Sequence, residues 1–197
     1  MKKQRIVFLT VAGMLIALEI IMAFTPLGYL KIGLLSITFM TIPVIIGATV
    51  GGVAVGTVLG LVFGITSFVQ CFGMDFFGTT LFSINPVYTF ITCIVTRTIM
   101  GLLCGLIFKA LSKTNINDTI KYGIAAFSAP FLNTVFFMGC LLAFFWNTEY
   151  IQSLASGATV FGFLIAMVGI NGITEWVVCT IVGTAIAIPV HRAIKKA

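Results

Sequence analysis

Arg97 stands in the middle of Pro86–Leu111, one of the most apolar stretches of the chain, and no other basic residue lies so deep inside a comparable stretch. A guanidinium near the centre of a bilayer costs about 2.5–3.5 kcal/mol on insertion scales, so such a group faces a cavity or a partner. Counting from Pro86 at 1.5 Å per residue puts it about 16 Å below that end. Asn85 caps the same end, and Thr96 and Thr98 flank the arginine. Asn133 and Thr134 fall about halfway along the next apolar block. Asn171 and Glu175 are spaced i, i+4 in the last one and so share a helix face. A guanidinium and two amides, Asn133 and Asn171, match a small ligand that carries a carboxylate plus hydroxyl or amide groups. Glu19 or Glu175 could equally neutralise Arg97 in a purely structural ion pair. The residues alone leave both readings open.

The elements that must position these groups follow from hydropathy and charge. The chain is 60% hydrophobic and 8% charged, with a mean hydropathy of +1.20, the composition of a protein dissolved in lipid. Apolar blocks run over Ile6–Phe24, Ile37–Val69, Pro86–Leu111, Tyr122–Trp146 and Thr159–Val190. About 20 residues cross a bilayer, so Ile37–Val69 is too long for one helix and barely long enough for two. Gly51-Gly52 is well placed for a tight turn within it. Six crossings then put both termini on one side with Lys2, Lys3, Arg5, Lys109, Lys113, Lys121, Arg192, Lys195 and Lys196. The other side keeps Lys31 as its one basic residue. The expectation is an all-α, six-transmembrane-helix bundle, a single membrane domain over 1–197, with both ends cytoplasmic.

The first segment is too long and too embedded to be a cleavable signal. The basic pI of about 9.2 is accounted for by topology and gives no hint of nucleic acid. Five cysteines are scattered without metal-ligand or disulfide spacing. There is no phosphate-binding loop and no H-E-x-x-H, and the lone His191 sits in the basic tail. These patterns point to a protein that binds rather than catalyses, with no metal and no cofactor.

Gly52, Gly56, Gly60 and Gly64 recur every four residues, a small-residue groove for close helix packing within the bundle. Gly13 and Ala17 form a small-xxx-small pair on the first helix. Glu19 faces away from that pair, toward a polar contact within the bundle. Three longer connections, Thr25–Ser36, Cys71–Asn85 and Asn147–Ala158, are rich in aromatic and polar residues. They suit a lid over a small ligand, or an interfacial belt.

The chain resembles the substrate-binding S components of energy-coupling factor (ECF) vitamin transporters. The resemblance rests on Phe24-Thr25-Pro26-Leu27-Gly28-Tyr29, Thr41-Ile42-Pro43-Val44-Ile45-Ile46-Gly47, Leu61-Val62-Phe63-Gly64-Ile65-Thr66-Ser67-Phe68, Arg97 and Asn133-Thr134. Within that family it is most similar to the pantothenate-specific branch. The resemblance implies a vitamin held near the outer face, below the loops after helices one, three and five. It implies as partners an EcfT-like transmembrane coupling subunit and two cytoplasmic ATPases that hydrolyse the ATP. The family's contact motif on helix one appears as Gly13-x-x-x-Ala17. Pantothenate has one carboxylate, one amide and two hydroxyls. Arg97 would fork onto the carboxylate, Asn133 and Asn85 would take amide or hydroxyls, and Phe68, Phe77 and Tyr88 would supply apolar walls. Folate, riboflavin or a cobalamin-like vitamin is the alternative within the family, and a membrane scaffold is the alternative outside it.

Overall fold

Glycine and proline punctuate the apolar sequence, and the chain turns where they stand. The computed structural model describes residues 2–32 and 35–196, without the side chains of 2–7, 30–37, 170, 171, 195 and 196. Helix α1, Lys2–Ala23, stops before Thr25-Pro26, where proline disfavours helical backbone at the residue before it. The segment that follows pairs as a hairpin, β1 (Tyr29–Ile32) against β2 (Leu35–Thr38), with Tyr29 opposite Thr38. An all-α expectation misses this hairpin, because a four-residue strand inside a turn-rich connection leaves too short a pattern to read.

Helix α2 (Thr41–Ile46) continues through a π turn, Gly47–Gly51, into Gly52, whose φ of 82° and ψ of −172° suit glycine alone. Helix α3 (Gly52–Gln70) then runs back along α2. A methyl group on Gly56 would lie 2.7 Å from the Ala48 Cβ, and one on Gly47 would strike Leu59. Residues 12 apart on a straight helix are about 18 Å apart, so the chain reverses at the glycine pair, as its sequence suggests.

Helix α4 (Phe76–Ile84) starts at Asp75, whose Oδ2 accepts from Gly78 N–H at 2.7 Å. Helix α5 (Pro86–Phe90) passes through a π turn at Ile91–Val95 into α6 (Thr96–Leu111). Helix α7 covers Asp118–Phe145 and α8 covers Glu149–Ala155. Helix α9 (Val160–Lys196) is broken at Gly169, with φ −6° and ψ −119°. The single straight helix read over Thr159–Val190 is therefore two pieces, Val160–Gly169 and Gly172–Ile194, and the first forms a 77° bend with α8. By length and composition, four helical stretches among the described residues can cross a membrane when Thr41–Gln70, which turns back at its glycine pair, is counted as one, or five with that bent pair, and Phe8–Ala23 is a shorter apolar helix.

The glycine groove closes α3 onto α6. A Cβ at Gly64 would come within 2.7 Å of the Ile94 Cα, and one at Gly105 within 2.7 Å of the Val53 Cα. Such contact between backbones replaces the hydrophobic drive that lipid cannot supply. Two apolar clusters result. One gathers Leu15, Val44, Leu59, Phe63 and Met100 around α2, α3 and α6, and the other gathers Phe77, Leu141, Phe145, Ile151 and Phe163 beneath α4 and α8. Glu19 is fully buried, and neither of its oxygens has a hydrogen-bond partner among the described residues, so the polar contact read for it is not made there.

Candidate functional site

Between the two clusters lies a cavity of about 630 Å³, walled by Phe63 on one side and by Phe77, Leu81 and Met167 on the other. That volume falls within the range of small-molecule sites. Its polar groups come from elements distant in sequence: Arg97 on α6, Asn133 on α7, Glu175 on α9, and Thr25 and Tyr29 around the hairpin.

Arg97 is aimed by the π turn that precedes its helix. The wider turn places Thr96 N–H on the Ile91 carbonyl. The Thr92 carbonyl receives the Thr96 hydroxyl at 2.5 Å and Arg97 Nη1 at 3.2 Å, and the Cys93 carbonyl receives the same Nη1 at 3.1 Å. Single π turns within α-helices are frequent at functional sites. The Arg97 Cζ sits 4.6 Å from the centre of the Phe63 ring and 5.7 Å from that of Phe137. These contacts hold the cation without neutralising it. Its Nε is buried and unpartnered, with the residue 8% exposed. No ion pair among the described residues joins Arg97 to a carboxylate; the one present is Lys121–Asp118 at 3.2 Å.

The remaining polar groups show the same unmet capacity. Asn133 is 9% exposed and its Oδ1 has no partner. Glu175 Oε2 accepts from Thr38 N–H at 3.2 Å, while its buried Oε1 has no hydrogen-bond partner among the described residues. The Tyr29 hydroxyl and the Thr25 hydroxyl are likewise buried without partners. Burial pushes the Tyr29 phenol above its ordinary range, so it remains a hydrogen-bond donor. A buried polar atom left unpaired costs about 1–3 kcal/mol. The side chains that carry these atoms line one cavity, a polar lining suited to a polar ligand that would pair them.

Of the residues read from sequence, Arg97, Asn133 and Phe77 meet in this wall. The structure places Asn85 outside it, because its Oδ1 is engaged with Val87 N–H and Tyr88 N–H, both at 3.1 Å. Tyr88 also lies outside, stacked on Phe144 at 4.7 Å. Phe68 packs instead among Phe72, Phe82 and Phe90. The Asn171 side chain lies outside the described residues. Gly13 and Ala17 are exposed on α1, away from the cavity. Sequence reading passed over Tyr29 and Thr25, which enter through the hairpin, and treated Glu175 as a competitor for Arg97 when it shares the cavity.

The lid is more ordered than a loop. Of the expected connections, the first contributes Thr25, Pro26 and Tyr29 and the second contributes Met74, Asp75 and the α4 residues Phe77, Gly78 and Leu81. The third forms α8, which backs α4 through Tyr150, 6.0 Å from Phe77. Gln70 at the end of α3 donates to the Ala23 carbonyl at 2.5 Å, tying the α1 end to the rim. Cys71 and Cys93 also line the wall, with free thiols 3.9 Å apart.

A family model described as ECF transporter, substrate-specific component, matches residues 7–187. The chain is also 28% identical over 170 residues to the pantothenic acid transporter PanT of Lactococcus lactis subsp. cremoris, an alignment covering 79% of this chain and 78% of that protein.

Proposed function

On the premise that this chain, a multi-pass membrane protein, belongs to the substrate-specific components of ECF transporters, we propose that it binds pantothenate for uptake. Arg97 takes the ligand's carboxylate through its guanidinium fork. Asn133 takes the amide or a hydroxyl, and Phe77 and Phe137 line the aliphatic frame. The observation that carries this reading is the buried guanidinium, held by carbonyls and aromatic rings in a cavity wall and paired with no carboxylate among the described residues. An acid-bearing ligand supplies the missing charge. The similarity to a pantothenic acid transporter supports the choice of acid.

The proposal includes the transport cycle in outline. The chain forms six membrane segments with both basic termini in the cytoplasm, and the second, Thr41–Gly51, about 16 Å long at 1.5 Å per residue, reaches only part of the way across. The chain itself hydrolyses no ATP. An EcfT-like transmembrane subunit and two cytoplasmic ATPases supply the energy, and the exposed Gly13–Ala17 face of α1 receives the coupling subunit. Calorimetric titration of the detergent-purified protein with pantothenate, riboflavin and folate tests the ligand. Saturable binding of pantothenate, weakened at least tenfold in Arg97→Ala, is the expected result. Binding of riboflavin or folate in its place, or unchanged pantothenate affinity in Arg97→Ala, overturns the assignment.

A further inference from the structure

Glu175 is 6% exposed, and its two carboxylate oxygens have different surroundings. Oε2 accepts from the Thr38 main-chain N–H at the base of the hairpin, which ties the carboxylate to it. Oε1 lies buried in the cavity wall with no partner. Two internal explanations fall short. As a counter-ion it would touch Arg97, yet no ion pair joins the two among the described residues. As a purely structural brace for the hairpin it would need one acceptor, which an amide or hydroxyl supplies without the desolvation cost of a buried carboxylate. Neither accounts for the second oxygen, left unpaired on a side chain that lines the same cavity as Arg97 and Asn133.

We infer that Glu175 is a second ligand-recognising residue of this cavity. Its free oxygen accepts a hydrogen bond from a neutral hydroxyl or amide N–H of the ligand, at a point other than the acid group, and it repels ligands with a second anionic group there. The inference rests on the reading of the cavity as a site for a small acid. It deepens that reading by adding a requirement: one acid for Arg97, at least one neutral donor for Glu175, and no second negative charge. A site built to pair a donor discriminates strongly against analogues that lack it, because its own buried acceptor is then left bare.

Glu175→Gln separates these roles. The amide oxygen can still accept from Thr38 N–H, while the atom facing the ligand becomes a donor. Titrations would use the full chain in detergent, with pantothenate and its phosphate monoester at the terminal hydroxyl. The wild type is expected to bind pantothenate and to bind the ester at least 100-fold more weakly. Glu175→Gln, with its melting temperature preserved, is expected to lose at least tenfold affinity for pantothenate and to narrow the gap between the two ligands at least tenfold. Unchanged affinity for both ligands in Glu175→Gln overturns the inference. If Arg97→Ala still abolishes binding in that case, the reading of the site survives it. Should Glu175→Gln fail to fold, wild-type protein decides through a pantothenate derivative with methylated hydroxyls and amide. Equal affinity for that derivative overturns the inference, and a tenfold or greater loss upholds it. If the wild type binds a different vitamin, the pantothenate reading falls and Glu175→Gln is measured with that vitamin, under the same two criteria. Absence of any saturable vitamin binding overturns both.

Discussion

Gly60 of α3 lies directly against the main-chain carbonyl of Arg97 on α6, and a methyl group at position 60 would overlap it. The guanidinium is positioned from behind by a missing side chain on the neighbouring helix. Gly101, one turn further along α6, meets the Gly56 carbonyl in the same way. Gly60→Ala is expected to push α6 outward and destabilise the fold by about 1–3 kcal/mol, lowering the melting temperature by roughly 2–12 °C for a chain of this size. Ligand affinity falls with it, since Arg97 moves. Gly13→Ala is the control, having open space around its Cβ, and leaves the melting temperature within about 1 °C. Thermal unfolding in detergent measures both.

The Phe63 ring beneath the guanidinium is the next dependence. Its centre is 4.6 Å from the Arg97 Cζ, against 5.7 Å for Phe137. Phe63→Leu keeps a buried apolar side chain and removes the π face, worth about 0.5–2 kcal/mol at a desolvated site. Pantothenate binding is expected to weaken by roughly 2–30-fold, and less for Phe137→Leu. Arg97→Lys keeps the charge but loses the fork, and is expected to weaken binding at least tenfold. Titration calorimetry ranks the three. Equal affinities across the series would place the carboxylate elsewhere.

Much of this arrangement was legible in the chain, for physical reasons that differ by residue. Arg97 and Asn133 stand out because a polar group in an apolar block is costly. The spacing of Gly52, Gly56, Gly60 and Gly64 fixes one face of one helix whatever surrounds it. Asn85 misleads: the same amide that suits a ligand suits a helix start before Pro86, and the cap has claimed it. Tyr88 and Phe68 mislead in another way, since the resemblance and their position in the chain suggest apolar walls of the site but aromatic neighbours on α7, α4 and α5 draw them away. Tyr29 and the free oxygen of Glu175 depend on a hairpin folding under α9, a tertiary event with no local pattern. Helix α4 was hidden by its length, though Asp75 before Phe76-Phe77-Gly78 carries the signature of a capped start. Gly169 and Gly172 bracket the break in α9, a signal present in the sequence and passed over.

The thiols of Cys71 and Cys93 give an internal ruler for the cavity. They face each other at 3.9 Å in its wall. An added oxidant such as copper phenanthroline is expected to take two electrons and two protons from them, joining the sulfurs in an intramolecular disulfide. Mass spectrometry reads the loss of two hydrogens, and Cys71→Ser abolishes it. Bound pantothenate is expected to slow the reaction at least threefold by occupying the space beside them. A rate that ignores saturating ligand would separate these cysteines from the binding cavity.

Gly52 sets the reversal between α2 and α3. Its φ of 82° and ψ of −172° are open to glycine and strained for any side chain. Space is not the obstacle, since nothing lies within 4 Å of its Cβ position. Gly52→Ala is therefore a backbone test, expected to cost about 1–3 kcal/mol and to lower the melting temperature without changing pantothenate affinity in the folded fraction. A melting temperature equal to wild type would mean that the turn is made by other backbone angles.

The last dependence concerns the surface that the ligand never touches. Gly13 and Ala17 are exposed on α1, one turn apart, with Leu9, Met14 and Leu18 exposed around them. Small residues on an open helix face admit another helix at close range, which bulky neighbours would otherwise hold off. Gly13→Leu fills that notch while leaving the cavity untouched, since no described atom of another element lies within 4 Å of the Gly13 Cβ position. Pantothenate affinity of the purified variant is expected to match wild type within twofold. Uptake by cells that express it together with the coupling subunit and ATPases is expected to fall at least tenfold, and the variant no longer co-purifies with them. Lipid covering this face would give the opposite result, with uptake and co-purification intact, and the coupling subunit would then have to dock on another part of the bundle.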